Sequence, residues 1–246
     1  PAVTQAKALE AAFTAAFRDA MRHSRDYETV FKGDFGDELP FLTDDAVPAW
    51  RDLLGSIERF DFTSLNYDVI GPIFERLISP EERHRYAQHY TMPEVCDLIN
   101  FFCIRRAVVA VLDPACGGGT FLVRAYARKK FLAEATNTNF SHTDALDHLY
   151  GVDISSYATH LTTVNLATRD LIDDQNYPLV ATKDFFDTEP NKPLYTVPMG
   201  AGSAGGQMRH VIIPTLDAIV GNPPYVRQEK IKDQKDRSPG AWFETL

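Results

Sequence analysis

A doubly wound α/β sheet preceded by a helical N-terminal region is the fold class that this sequence predicts, on three observations. Apolar residues recur at helical spacing near the N-terminus, and strand-like and helix-like segments alternate after residue 105. A glycine turn joins the first strand-like run to the helix behind it. The length of 246 residues allows one or two domains, at about 150 residues each. Hydrophobic residues make up 44% and charged residues 24%, ordinary globular usage that excludes collagenous, coiled-coil and wholly disordered chains.

In chain order, Leu9, Phe13, Phe17 and Met21 recur every four residues, the stripe of an amphipathic helix. Residues 31–48 carry Gly33, Gly36, Pro40 and several acidic residues without periodicity and read as a loop. Helical pieces resume over 48–77, with Trp50, Leu53, Leu54 and Ile57, then Ile70, Ile73, Phe74 and Leu77. Ser79-Pro80-Glu81-Glu82 reads as a capped helix start with proline at the first helical position. Residues 107–112 form a short apolar run ending at Asp113, which suits a buried parallel strand, and a helix follows from Thr120 to about Leu132. Further strands are expected at 148–154, 177–183 and 216–220, with a helix after the second whose apolar face carries Ala158, Leu161, Val164 and Leu171. The stretch 199–207 has four glycines in nine residues and reads as a flexible connection.

Charge and cysteine usage narrow the classes. Twenty-five basic against 34 acidic residues give a net charge of −9, which argues against a surface that grips phosphates everywhere. No apolar run approaches the roughly 18 residues of a membrane span, and no basic head precedes an apolar core at the N-terminus. Cys96, Cys103 and Cys116 are too few and too unevenly spaced for a disulfide framework or a zinc site. The expectation is a cytoplasmic protein with free thiols, no metal and no membrane.

Four segments carry the chemistry. In Asp113-Pro114-Ala115-Cys116-Gly117-Gly118-Gly119-Thr120-Phe121-Leu122, a strand ends in an acidic residue and a glycine turn leads into a helix N-terminus, where backbone N–H groups face a ligand. The third glycine of dinucleotide loops is missing, with Leu122 in its place, and no Gly-Lys-Ser/Thr occurs. A cofactor with an amino-acid end and a nucleoside end remains. Asp153, at the tip of the second strand, can accept from both hydroxyls of a ribose, although taken alone it better suits a helix cap. It lies 40 residues after Asp113, twice the usual interval of about 20, so an insertion around 131–148 is expected. Asp184, followed by Phe185, sits after the third strand and can accept from an adenine amino group.

The fourth segment runs from an apolar strand into Gly221-Asn222-Pro223-Pro224-Tyr225. Two prolines remove N–H donors and stiffen the backbone, leaving carbonyls and the Asn222 amide oxygen as a cluster of acceptors. Such a cluster suits an exocyclic amine: accepting from both its hydrogens favours a pyramidal nitrogen with an available lone pair. Tyr225 offers an aromatic face for a flipped base.

These segments, in this order, resemble the N6-adenine DNA methyltransferases, the family that includes type I restriction–modification methylase subunits and the methylase parts of fused restriction–modification enzymes. Residues 113–122 match the family's Asp-Pro-x-Cys-Gly-x-Gly-Thr-Phe-Leu, and residues 222–225 match its catalytic Asn-Pro-Pro-Tyr. Tyr90-Thr91-Met92-Pro93 resembles the Tyr-Thr-Pro that precedes the glycine loop in the family, with Met92 inserted, and residues 68–77 resemble the approach to it. The resemblance covers about residues 66–226 and implies an incomplete Rossmann-like S-adenosylmethionine-dependent methyltransferase sheet over 86–246, behind a helical domain over 1–85.

Carried over by position, Tyr90, Thr91, Asp113, Ala115, Cys116, Gly117, Gly119, Thr120 and Phe121 surround the methionine end of S-adenosylmethionine. Asp153 holds the ribose with Ile154 against the adenine, and Asp184 and Phe185 complete the adenine subsite. Asn222, Pro223, Pro224 and Tyr225 form the catalytic loop, with Asn222 also bordering the cofactor. The implied activity is site-specific, adenine-N6 methylation of DNA in a restriction–modification or phage-defence system, on double-stranded DNA with a flipped adenine. Implied partners are a specificity or restriction subunit or a C-terminal target-recognition domain. Asn-Pro-Pro-Tyr also occurs in guanine-N2 RNA and protein-glutamine methyltransferases, and a silent assembly module is a further alternative. The sequence ends 21 residues after Tyr225, so by this resemblance about three strands are absent, and the expectation is a truncated chain that is inactive alone. Its tail, 227–237, holds five basic and three acidic residues and reads as a solvated helix or a phosphate-facing one.

Overall fold

The computed structural model describes residues 4–24, 43–59, 91–170, 177–189, 192–198 and 208–223. The chain divides into two compact units, the described residues up to 59 falling in the first and those from 91 onward in the second.

In the first unit, helix α1 (Gln5–Ser24) and helix α2 (Val47–Ile57) are joined at their starts. The Asp44 carboxylate accepts from Ala6 N at 2.8 Å, covering one of the donors that a helix N-terminus leaves unpaired. Phe13, on the predicted stripe, meets Trp50 edge-on with ring centroids 5.6 Å apart. The loop expected over 31–48 ends two residues early, because Val47 is buried and Pro48 opens α2 in the first turn, where its missing N–H costs nothing. The expected helical pieces over 60–77 and the helix start at Ser79 lie outside the described residues.

The described residues of the second unit run from α3 (Pro93–Cys103) through β1 (Val111–Asp113) to α4 (Thr120–Ala135). There follow α5 (His142–Leu146), β2 (Leu149–Asp153), α6 (Ser156–Ala167) and β3 (Leu179–Thr182). A 3-10 turn (Phe185–Asp187), β4 (Pro193–Pro198), β5 (Met208–Ile212) and β6 (Ala218–Ile219) come next among the described residues. The sheet order is β3-β2-β1-β6, with every pairing parallel. The insertion expected before Asp153 is the long α4 followed by α5, which Ser141 and Asp144 start with a reciprocal capping box.

Alternation along β1 sends its side chains to two faces. Val111 joins Ile104, Leu122, Ala125, Leu146, Leu149 and Leu166 in a core contributed by helices. Leu112 joins Tyr150, Val152 and Leu179 on the other face, where Val211 and Ile213 cover them and Leu194 and Tyr195 pack alongside. Here the structure departs from the sequence reading. β4 and β5 pair antiparallel as a separate two-stranded sheet, so 193–212 contains a hairpin that was not expected, and its apolar residues close the second face. The glycine-rich stretch 199–207 lies between these two strands and outside the described residues, as does Leu171.

Chain order decides where a ligand can sit. From β1 the sheet grows to β2 and β3 on one side, and the chain returns to place β6 on the other side of β1. The loops leaving the carboxyl ends of β1 and β6 therefore lie side by side where the winding reverses, the place at which sheets of this kind bind ligands. Residues 113–119 and 221–223 are those two loops.

Candidate functional site

Asp113 ends β1 and is 1% exposed, and one carboxylate oxygen accepts from Ala115 N at 3.1 Å. Burial lifts its carboxyl to about 7, the Ala115 N–H works against this, and the charge of Asp153 adds to it. Cys116 is buried beneath the turn, and burial together with Asp113 and Asp153 pushes its thiol well above the usual range. A thiol held neutral in this way is a packing group rather than a nucleophile. Asp153 reaches back from the end of β2. One oxygen accepts from Gly117 N at 2.9 Å and the other from Ser155 N at 2.9 Å. The half-buried carboxylate thus joins the glycine turn to the start of α6 and keeps lone pairs for further donors.

Two glycines in the turn have left-handed backbones for different surroundings. Gly119 (φ 86°) caps α4, and a Cβ there would stand 2.9 Å from the Thr162 side chain. Gly117 (φ 51°) has no atom within 4 Å of such a Cβ, so this part of the turn faces open space. The open space at Gly117, with the Asp153 carboxylate beside it and the start of α4 behind it, makes this turn a candidate cradle for a ligand.

The loop after β6 is packed directly on this cradle. A Cβ on Gly221 would meet the Asp113 carboxylate at 2.7 Å, so only glycine allows so close an approach. The next residue, Asn222, donates from Nδ2 to Thr91 Oγ1 at 3.1 Å, across 131 residues of sequence. That bond turns the carboxamide oxygen of Asn222 away from Thr91. Two of the four segments, those carrying Asp113 and Asn222, therefore meet each other and Thr91 here. Met92, inserted after Thr91, points into solvent and precedes Pro93 at the start of α3, so the insertion does not separate Thr91 from Asn222.

Comparison with known proteins gives the family. The sequence profile of the N-6 DNA methylase family matches residues 65–243. The chain belongs to the N-6 DNA methylase family. This methylase-family chain is 32% identical over 91 residues to the type I restriction enzyme MjaVII methylase subunit of Methanocaldococcus jannaschii. It is 30% identical over 76 residues to the MjaVIII methylase subunit of the same organism. The matches take in 36% and 30% of this chain but 16% and 13% of those relatives, so the shared stretch is a small part of their length. The solved type I restriction-modification system methyltransferase subunit from Streptococcus thermophilus shares the fold, with a TM-score of 0.52 at 18% identity. That likeness covers 91% of this chain and 43% of the other.

The remaining candidates in this chain fall into three groups. Ile154 is 70% exposed at the rim, next to Asp153, and Asp184 is half-buried after β3, where it accepts from Phe186 N at 3.0 Å. Phe185 packs against the core beside it. Thr120 and Phe121 are buried, and the Phe121 ring belongs to the core while its carbonyl accepts from Asn100 Nδ2 at 3.1 Å. Tyr90, Pro224 and Tyr225 lie outside the described residues.

Several supporting residues were not singled out from sequence. Thr162 and Asn165 hold the carbonyls of Gly117 and Gly118. Their signal was polarity on a helix face otherwise lined by Ala158, Leu161 and Leu166. Lys129 is fully buried, donating to the carbonyls of Ala107 and Val109 ahead of β1, and burial lowers its ammonium to about 7 against the pull of Asp217. Among the described residues no group of three His, Cys, Asp or Glu side chains could hold a metal, and no helix is long and apolar enough to cross a membrane.

Proposed function

We propose that this chain carries the cofactor cradle and catalytic loop of a DNA methyltransferase that acts on adenine N6 within a restriction–modification system. The single observation behind the reading is the convergence of Asn222 with Thr91 and, through Gly221, with Asp113 at the winding reversal of the sheet. S-adenosylmethionine is the cofactor in this reading, supplying an activated methyl group when bound. Thr91, Asp113, Ala115, Cys116, Gly117, Gly119, Thr120 and Phe121 border its methionine end, with Tyr90 beside them. Asp153 accepts from its ribose, Ile154 covers one face of its adenine, and Asp184 and Phe185 lie at the far edge.

Asn222 and the Pro223 carbonyl accept from the target amine, which frees its lone pair, and Pro224 keeps the loop stiff. Tyr225 stacks on a base drawn out of the duplex. Catalysis then comes from positioning and polarisation without a covalent enzyme intermediate. Residues 1–85 form a helical domain ahead of the methyltransferase domain over 86–246, and the protein works in the cytoplasm with a specificity or restriction subunit or a target-recognition domain. The test is transfer of labelled methyl groups to unmethylated DNA by the full-length protein together with its partner subunits, followed by nucleoside analysis. Label in N6-methyldeoxyadenosine that falls by about 10²–10³ in Asn222→Ala supports the reading, the scale of losing one acceptor at a reacting group. Label on guanine or protein, or turnover in Asn222→Ala within threefold of wild type, overturns it.

A further inference from the structure

Helix α6 meets the glycine turn with two fully buried polar side chains, and each holds a loop carbonyl. Thr162 Oγ1 donates to Gly117 O at 2.7 Å, and Asn165 Nδ2 donates to Gly118 O at 2.7 Å. Thr162 Oγ1 also lies 3.7 Å from Cys116 Sγ, and the same side chain fills the space where Gly119 would carry a Cβ. Four consecutive residues, 116–119, are therefore referenced to one helix.

A peptide unit is planar and trans, so holding its carbonyl fixes its N–H in the opposite direction. The Gly117 carbonyl shares a peptide plane with Gly118 N–H, and the Gly118 carbonyl with Gly119 N–H. Thr162 thus turns the Gly118 N–H away from α6, while the Gly119 N–H, set by Asn165, donates to Cys116 O at 2.8 Å and closes the turn. Packing alone does not account for these residues. Asn165 leaves its Oδ1 buried with no hydrogen-bond partner, an unfavourable arrangement that leucine of similar size would avoid. Valine would fill the Thr162 position as well.

We propose that Thr162 and Asn165 are positioning residues that set the direction of the glycine-turn amides before the cofactor arrives. The proposal rests on the cofactor reading above. It is tested on the 246-residue chain with Thr162→Val and Asn165→Leu, which keep the volume and remove the donor, and with Thr162→Ser, which keeps the hydroxyl. Two measurements are made: amide hydrogen exchange on the free protein, and calorimetric titration with S-adenosylmethionine. The expected result is exchange over residues 117–120 faster by tenfold or more in Thr162→Val and Asn165→Leu, with β1 and β2 unchanged. Cofactor affinity should fall about three- to tenfold in each, the scale of one net hydrogen bond, and Thr162→Ser should restore both readouts.

Unchanged loop exchange and affinity in both donor-less variants overturns the proposal. So does loss of protection spread evenly over β1, β2 and the turn, since that is a structural role alone. If Asn165→Leu fails to fold, the contrast between Thr162→Val and Thr162→Ser decides. Wild-type chain that takes up no S-adenosylmethionine overturns the cofactor reading, and the exchange data on the free protein still decide whether these residues set the turn.

Discussion

Alanine at Gly119 and alanine at Gly117 should differ in cost, although both residues have left-handed backbones. The left-handed conformation costs an L-residue about 1–2 kcal/mol, and both substitutions incur it at φ 86° and 51°. At Gly117 nothing lies within 4 Å of the new methyl, so the backbone term is the whole expected loss. At Gly119 the methyl would stand 2.9 Å from both Thr162 Cγ2 and Oγ1 and 3.2 Å from its Cα. Forcing that contact into a packed site adds about 1–3 kcal/mol, and moving Thr162 aside also disturbs its bond to the Gly117 carbonyl. Gly119→Ala should therefore be less stable than Gly117→Ala by about 1–3 kcal/mol, or a thermal midpoint lower by about 2–12 °C for a domain of this size. Chemical denaturation followed by circular dichroism reads the difference. Thr162→Ala, which removes both clashing atoms, should recover about 1 kcal/mol of it in a double-mutant cycle. Equal losses for the two glycine variants, or no coupling to Thr162, would refute the claim that α6 and the turn are packed to contact.

Other perturbations test the electrostatics and the cofactor reading. Asp113 has its carboxyl raised from 3.8 to about 7, so the folded state holds a proton that the unfolded state has already lost. Its contribution to stability is full below pH 4 and is lost as pH rises to about 7; Asp113→Asn should flatten that slope in denaturation curves. Binding of a cationic ligand favours the ionised carboxylate, so S-adenosylmethionine affinity should rise between pH 6 and 8 in wild type and stay level in Asp113→Asn, as calorimetry would read. Lys129 is shifted the other way, from 10.5 down to about 7. The unfolded chain then binds the extra proton, so stability should rise from pH 7 to 10. Lys129→Met should abolish that rise, and at pH 7 it should lose about 1–3 kcal/mol because two buried carbonyls lose their donor. Asp153→Ala should weaken S-adenosylmethionine by about 1–3 kcal/mol, and identical affinity for wild type and variant would remove the ribose assignment.

The sequence by itself determined the features whose causes are local. The strand end at Asp113, the glycines behind it and the start of α4 at Thr120 follow from strand burial, positive φ and helix entry, each a matter of a few neighbouring residues, although of the apolar run over 107–112 only Val111 and Leu112 lie in β1. The alternation of strands and helices through β3 was legible for the same reason, as was Asp153 at the tip of β2. Tertiary structure alone decided the rest. The hairpin of β4 and β5 was missed because its residues cover the second face of the sheet instead of following the helix-on-sheet pattern that precedes them. Placing β6 beside β1 brought two distant loops into contact, and no residue near Asn222 announces Thr91, 131 positions earlier, as its partner. Thr162 and Asn165 read as ordinary polar residues on a helix until α6 packs against the turn, where burial makes each unpaired carbonyl costly and each donor specific. Short-range preferences are written into neighbouring residues, whereas which groups meet depends on the sheet order that folding selects.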